Sequence, residues 1–413
     1  MSNNKSSINK IIKEIEVKKL KELYSEFNDV ITLISNFILK KNLILYGGLV
    51  INLILPKKYR FYKEYTINDY DCFSKNPVKD AKELGYEIKK AGFEYIKLKR
   101  AVHTNTYKIS VFGKQFFDIT FLDAKIYNIL LKYINKNNKN LKYYGDKYKV
   151  IPIELIKQNL YFELARPLQS GFRWEKIYSR LSLVNSFYPT EKNKKVLKCI
   201  PIKDSYLNAI KYILEYIKAN KLPIIDSYSI KLYTNLSLCC YRLSNDSICL
   251  TILVKNIRDV YLNIKKIIDL YITDNKYKVE VIKAPIDSIN SYKYYDIKIY
   301  DNETKETFNM LRIIKIKDQC FSTTVKNGYS VGSIDTCLYF LYYNYVNNKI
   351  YKNNMKDAME NLYYINQFEN NVLDAKLNKT PINKRLQTNC YGEINHENEL
   401  KEIWNQRLTL KYF

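Results

Sequence analysis

Apolar residues recur at helical spacing through Ile11, Ile12, Ile15, Leu20, Leu23, Tyr24, Phe27, Val30, Ile31, Ile34, Phe37 and Ile38, which predicts one or two amphipathic helices over residues 7–41. An apolar run from Leu43 to Leu55 follows, broken by Gly47-Gly48 and stopped by Pro56. It reads as a short strand or helix end, a glycine turn, and a helix from about Leu49. Asp69 to Phe73 alternates polar and apolar side chains, as a half-buried strand does. A helix over 78–92 closes at Gly92; strands follow over 93–101 and 106–112, a hairpin turn at Gly113-Lys114, and a return strand from Gln115 to Leu122. From Ile153 the pattern turns helical as far as Ala165, and Pro167, Gly171 and Pro189 then punctuate it. The fold class expected is α/β (α+β), a mixed sheet with flanking helices.

The chain also echoes itself. Tyr148, Val150, Ile153 and Glu154, followed by Leu160-Tyr161-Phe162, return 181 residues later as Tyr329, Val331, Ile334 and Asp335, followed by Leu341-Tyr342-Tyr343. Near the same shift Tyr46-Gly47-Gly48 faces Tyr228-Ser229-Ile230, and Asn52-Leu53 faces Asn235-Leu236. Asp69-Tyr70-Asp71 faces Thr251-Ile252-Leu253, so the skeleton recurs without the glycines or the acids. The expected organisation is an N-terminal helical segment over 1–41, a first α/β domain over 42–221, and a second, degenerate copy over 222–413. Chance similarity between two Tyr- and Ile-rich stretches is the alternative.

Charge narrows the partners. The chain carries +26, and residues 1–200 hold 38 Lys+Arg against 19 Asp+Glu. Such an excess favours a polyanion, because each phosphate neutralised releases condensed counterions; lysines on solvated faces are the plainer account. Eight cysteines show no C-x-x-C spacing, Cys239-Cys240 being adjacent, and only His103 and His396 are available as imidazoles. A structural zinc site is therefore not expected, and His103 is assigned no role. The polar N-terminus is no signal peptide and no run is long enough to cross a bilayer, so a soluble, reducing-compartment protein is expected, with no membrane partner.

The candidate chemistry lies in three acids. Asp69 and Asp71, two apart on a strand, project to one side. At ~5 Å and an effective dielectric near 20 they would repel by roughly 3 kcal/mol unless a cation sat between them. Asp118 interrupts the apolar strand Phe116-Phe117-Asp118-Ile119 and needs a cation or donors of its own. Nucleotide transfer to a hydroxyl needs such carboxylates, since two divalent ions can position the triphosphate and neutralise its charge. Gly47-Gly48, ahead of a helix, can offer bare N–H groups to phosphate oxygens, although a Gly-Gly pair alone more often marks an ordinary turn. Arg173, Lys176 and Arg180 share a helical face and could clamp triphosphate or RNA, with Trp174 or Tyr178 as a stacking platform. A solvated face with Trp174 in the core is the alternative. Lys192–Lys198 reads as a solvated basic surface that could also steer RNA.

Gly-Gly, then D-x-D, then a third strand Asp, in that order, resembles the nucleotidyltransferase superfamily. Leu45-Tyr46-Gly47-Gly48-Leu49-Val50-Ile51-Asn52, Leu55-Pro56, Arg60-Phe61-Tyr62 and Asn68 to Ser74 are similar to the poly(A) polymerase catalytic subunits of large cytoplasmic DNA viruses, of poxvirus and giant-virus type. The resemblance covers about residues 43–180 and departs at Leu49, where relatives often carry a small residue. It implies that Asp69, Asp71 and Asp118 are the metal triad, Gly47 and Gly48 the phosphate turn, and Mg2+ or Mn2+ the cofactor. It further implies template-independent addition of adenylates from ATP to an RNA 3′ end, in host cytoplasm or virion, by a homodimer or with a small processivity partner. A CCA-adding or protein-nucleotidylating transferase, and a catalytically silent RNA-binding subunit, are the other readings.

Overall fold

The computed structural model describes the chain apart from residues 1, 102–104, 138–146, 193–203, 226, 235–249, 273–276, 284–291, 304, 306, 352–354, 374–384 and 395–413. His103, His396, Cys239-Cys240, Asn235-Leu236 and most of the Lys192–Lys198 run lie outside the described residues. Two compact units divide at Pro152 and Ile153, not at the expected boundary of 221.

In the first unit the helices α1 (Ser2–Glu26) and α2 (Asn28–Lys40) precede β1 (Ile44–Tyr46) and α3 (Gly47–Ile54). Then come β2 (Tyr70–Ser74), α4 (Pro77–Lys90), β3 (Ile96–Arg100), β4 (Thr106–Val111), β5 (Lys114–Phe121), α5 (Ala124–Asn137) and β6 (Lys149–Val150). The strands form one mixed sheet in the order β3-β4-β5-β2-β1-β6. Helix α2 buries Val30, Ile34, Phe37 and Ile38, whereas Ile11, Ile12 and Ile15 of α1 are about half exposed, so the first apolar stripe does not serve a core here. Helix α3 starts at Gly47, two residues before the expected Leu49. The β4–β5 turn is Phe112-Gly113, both at positive φ, one residue ahead of the expected pair. That is the backbone a tight hairpin needs.

The second unit opens with α6 (Ile153–Leu164), α7 (Pro167–Ser170), α8 (Trp174–Phe187) and α9 (Asp204–Ala219). It continues through β7 (Ile224–Ile225), α10 (Ser227–Thr234), β8 (Leu250–Val254), α11 (Ile257–Tyr271), β9 (Tyr277–Lys283), β10 (Lys293–Asp301) and β11 (Thr307–Lys315). It closes with β12 (Cys320–Lys326), β13 (Tyr329–Gly332), α12 (Ile334–Val346), α13 (Met355–Phe368) and β14 (Cys390–Gly392). A disulfide joins Cys320 to Cys390 between β12 and β14, a bond that the expectation of a reducing compartment did not anticipate.

Strand for strand, β9-β10-β11-β8-β7-β13 repeats the order of the first sheet, with β12 and β14 added at one edge. The senses repeat as well: β7 is antiparallel to β8 and parallel to β13, and β8 is parallel to β11, as β1 is to β2 and β6, and β2 to β5. Ladder registers fix the equivalences. Leu45 lies between Val150 and Cys72, and Ile224 lies between Val331 and Ile252. Thr251 therefore stands where Asp71 stands, two residues from the alignment read off the sequence. Ile225, not Tyr228, takes the place of Tyr46. In a chain this rich in Tyr and Ile, side-chain likeness cannot fix register; backbone pairing can.

The later part of the echo brings two of its aligned tyrosines into contact. Tyr161 on α6 and Tyr342 on α12, equivalent in the echo, stack at 5.4 Å and 22°. Beside them Lys157 is 2% exposed and donates to Thr190 Oγ1 at 3.0 Å. Burial pushes its ammonium down to about 8, against the pull of Glu369 and Glu154. An unfolded lysine keeps its proton to ~10.4. Between those limits the unfolded chain binds more protons, so stability from this group rises as pH climbs from about 8 to ~10.4, and the full cost is present below 8. Lys157→Met is expected to raise unfolding free energy at pH 7 by up to about 3 kcal/mol and to flatten that rise. Urea denaturation at pH 7 and pH 10 checks this; an equal effect at both pH values would refute it.

Candidate active site

The sheet of the first unit brings the predicted acids to one corner. Strands β2 and β5 are parallel, with Asp71 opposite Asp118 and Cys72 opposite Ile119. Alternation along both strands puts the two carboxylates on the same face. Asp118 is buried, at 7% exposure, and Asp69, just before β2, is exposed.

Gly47 shows why this turn carries no side chain. Its φ is +77°, and a Cβ there would run into Oδ2 of Asp71. The residue thus supplies a left-handed turn and a gap for a carboxylate at once. Gly48 follows in the first turn of α3, whose N-terminus has no side-chain cap. The positive end of this helix faces the acidic corner.

Two residues not singled out in the sequence hold Asp118. The Lys108 ammonium lies 2.6 Å from its Oδ2, since Lys108 is its direct partner across β4 and β5. Gln115 Nε2 donates to Asp118 Oδ1 at 2.8 Å and to Asp69 Oδ2 at 3.3 Å, tying the third acid to the first. Residues three apart on a regular strand point to opposite faces. Here the register slips between Ile109 and Ser110, whose partners are Phe117 and Gln115. That bulge changes the phase of β5 and turns Gln115 toward Asp118.

The surroundings are dry and protonated. Burial first, then the Asp71 charge, raise the Tyr46 hydroxyl well above its ordinary value; it bonds Thr120 Oγ1 at 2.7 Å and its ring stacks on Phe73. Burial, followed by the charges of Asp71 and Asp118, raises the Cys72 thiol likewise, which keeps it from competing as a thiolate.

Among the described residues no three carboxylate, imidazole or thiol groups are arranged so that together they could hold a metal ion. Even so, the donor set suits a hard divalent cation: acids only, with a Lys108 ammonium already seated on the most buried of them.

Residues 32–170 match the sequence profile of the family described as Poly(A) polymerase catalytic subunit. The profile takes in Gly47, Gly48 and all three acids and ends at Ser170. An African swine fever virus protein named for the same subunit is 29% identical over 189 residues, 45% of this chain and 37% of that protein. An Acanthamoeba polyphaga mimivirus protein of the same name is 28% identical over 229 residues, 53% of this chain and 37% of its own length. The chain thus matches little more than a third of the length of these relatives. The crystal structure of the Megavirus polyadenylate synthase shares the fold, with a TM-score of 0.75 at 18% identity, covering 97% of this chain and 81% of that one.

The basic stripe lies beyond the matched segment, in the second unit, and is less uniform than its spacing implied. Arg173 ends a 3-10 turn and pairs with Glu163 at 3.5 Å. On α8, Lys176 is exposed and Arg180 is buried at 7% exposure. Trp174 is half-buried and donates its indole N–H to the Glu163 carbonyl, while its neighbour Phe172 is 87% exposed.

Lys108→Met leaves Asp118 with a single amide donor in a buried setting, and is expected to cost on the order of 2 kcal/mol of stability. Lys108→Arg should restore most of it. Thermal unfolding of both variants without divalent ions tests this; no loss in the Met variant would show that the ion pair does not hold Asp118.

Proposed function

We propose that this chain adds adenylates from ATP to RNA 3′ ends without a template. The reading is carried above all by Asp71 and Asp118 standing side by side on β2 and β5, linked through Gln115 to Asp69, beside a glycine turn that only Gly47 permits. The match of residues 32–170 to the profile described as Poly(A) polymerase catalytic subunit supports it. Among the described residues no helix is long and apolar enough to cross a membrane.

In this reading Asp69, Asp71 and Asp118 hold Mg2+ or Mn2+. Bound there, the ions would neutralise charge on the triphosphate and acidify the attacking 3′-hydroxyl. Asp118 takes part in drawing that proton, being buried and held by two donors. Amides at Gly47 and Gly48 cradle phosphate oxygens at the start of α3. Tyr46 excludes water beneath the site and stays protonated throughout. Arg173 and Lys176 contact triphosphate or RNA; Arg180, being buried, orients α8.

The second unit, in the same proposal, is a silent copy. At the register position of Asp118 it carries Arg312, and at that of Lys108 it carries Asp296. Arg312 grips Asp296 bidentately, at 2.7 and 2.8 Å. A guanidinium there repels a divalent cation.

The test is extension of an RNA primer with each nucleotide supplied separately and magnesium present. ATP alone should give long products, and Asp69→Ala with Asp71→Ala should reduce the rate by at least about 1,000-fold while the thermal midpoint is retained. Full activity in the double variant refutes the triad. Equal use of CTP and ATP, or label on protein instead of RNA, would favour the other transferase readings.

A further inference from the structure

The reverse face of the catalytic sheet carries an open groove of about 740 Å³, between the start of α4 and the ends of β4 and β5. Its lining includes Lys75, Lys79 and Lys82 with Val78, Tyr107 and Phe121. Strand alternation settles which face this is. Phe121 is opposite Ser74, and Tyr107 is opposite Ile119. All four therefore point away from the face of Asp71 and Asp118.

Among the described residues the lysines of the groove form no ion pair, although the Lys79 charge reaches Glu83. The acids of α4 are engaged by α2: Lys41 pairs with Asp80 and Glu83, and Lys40 with Glu87. Lys75, Lys79 and Lys82 have no carboxylate within ion-pair distance among the described residues. Lys79 and Lys82 are exposed, and the Lys75 ammonium lies 5.4 Å from the ring of Tyr127. Phe121 is 43% exposed and Val78 38%, so an apolar floor lies open beneath a cationic rim. A free phosphate would use the rim and ignore the floor. A single-stranded nucleic acid uses both, with phosphates on lysines and bases against aromatic or aliphatic surface.

We propose that this groove holds a segment of the RNA upstream of its reacting 3′ end, an inference that rests on the polyadenylation reading above. Since the groove lies on the face opposite the acids, only an RNA long enough to pass around the sheet reaches both. Short primers engage the acidic corner alone.

The experiment compares wild type with Lys75→Ala/Lys79→Ala/Lys82→Ala, measuring binding of fluorescent oligoadenylates of about 20 and about five nucleotides by anisotropy across a salt series. For the long RNA the triple variant should raise Kd by about 10- to 100-fold and reduce the salt slope by about 2, at ~0.7 per phosphate contact. The short one should change less than about 2-fold. Phe121→Ser should weaken the long RNA about 10-fold with the slope unchanged, as loss of stacking does. Unaltered binding of the long RNA by the triple variant overturns the groove. So does an equal loss for both lengths, or ATP alone displacing the long RNA from the groove. If wild type extends no RNA primer at all, the polyadenylation reading falls with it; if it extends primers and the triple variant binds them unchanged, only the groove falls.

Discussion

Two carboxylates placed opposite each other on neighbouring strands repel, and this sheet is built around that repulsion. Asp71 and Asp118 occupy such positions, with Asp69 drawn toward them. Like charges directly across a ladder cost stability, so each must be answered locally. Asp71 is received by a glycine that makes room for it at the positive end of α3. Asp118 is answered by the ammonium directly opposite on β4 and by an amide that a bulge turns to its face. Sheet order, bulge position and the glycine turn are therefore parts of one electrostatic arrangement.

The second unit solves the same positional problem with the signs exchanged. Arg312 and Asp296 form an ion pair across β10 and β11 where Asp118 and Lys108 form one across β4 and β5. Both pairs are buried at the acid, and both satisfy a polar position that the topology places under cover. Exchange of the charges preserves the fold because a ladder position needs only complementary partners. It does not preserve affinity for a cation, because the guanidinium now occupies the more central strand. The same skeleton thus tolerates loss of the proposed chemistry without loss of the sheet.

Much of this could be read from the chain, and the limits have physical causes. The strands around Asp69 to Phe73 and from Gln115 onward, the glycine turn and helix α4 were legible because alternation, paired glycines and helical spacing are local signals. Lys108 and Gln115 were not, since their roles depend on a register and a bulge that no local pattern encodes. The boundary at residue 152 was missed for a similar reason. Helix α6 buries Leu155, Leu160 and Tyr161 in the second unit, and its sequence says that it buries a face without saying against what. The echo set Val150 against Val331, as the strand registers do, and α6 and α12 follow those two positions. It misplaced β7 by three residues and β8 by two, because β-branched runs align about as well at neighbouring registers.

An ammonium already seated on Asp118 also bears on how the proposed site would fill. A divalent ion arriving there must compete with a cation held at 2.6 Å, so binding is an exchange and not the filling of a gap. Asp71 is set against Gly47, and its register partner on β5 is Asp118 itself. The two sides of the corner are therefore unequal. In the proposed reading an ion carried in with the triphosphate meets Asp71 beside the glycine turn, and it reaches Asp118 only when Lys108 finds another anion. In this corner a phosphate oxygen is the anion the proposed reaction would bring. Occupancy of the second position would then depend on nucleotide already being present, which ties the deprotonating side of the site to a bound substrate.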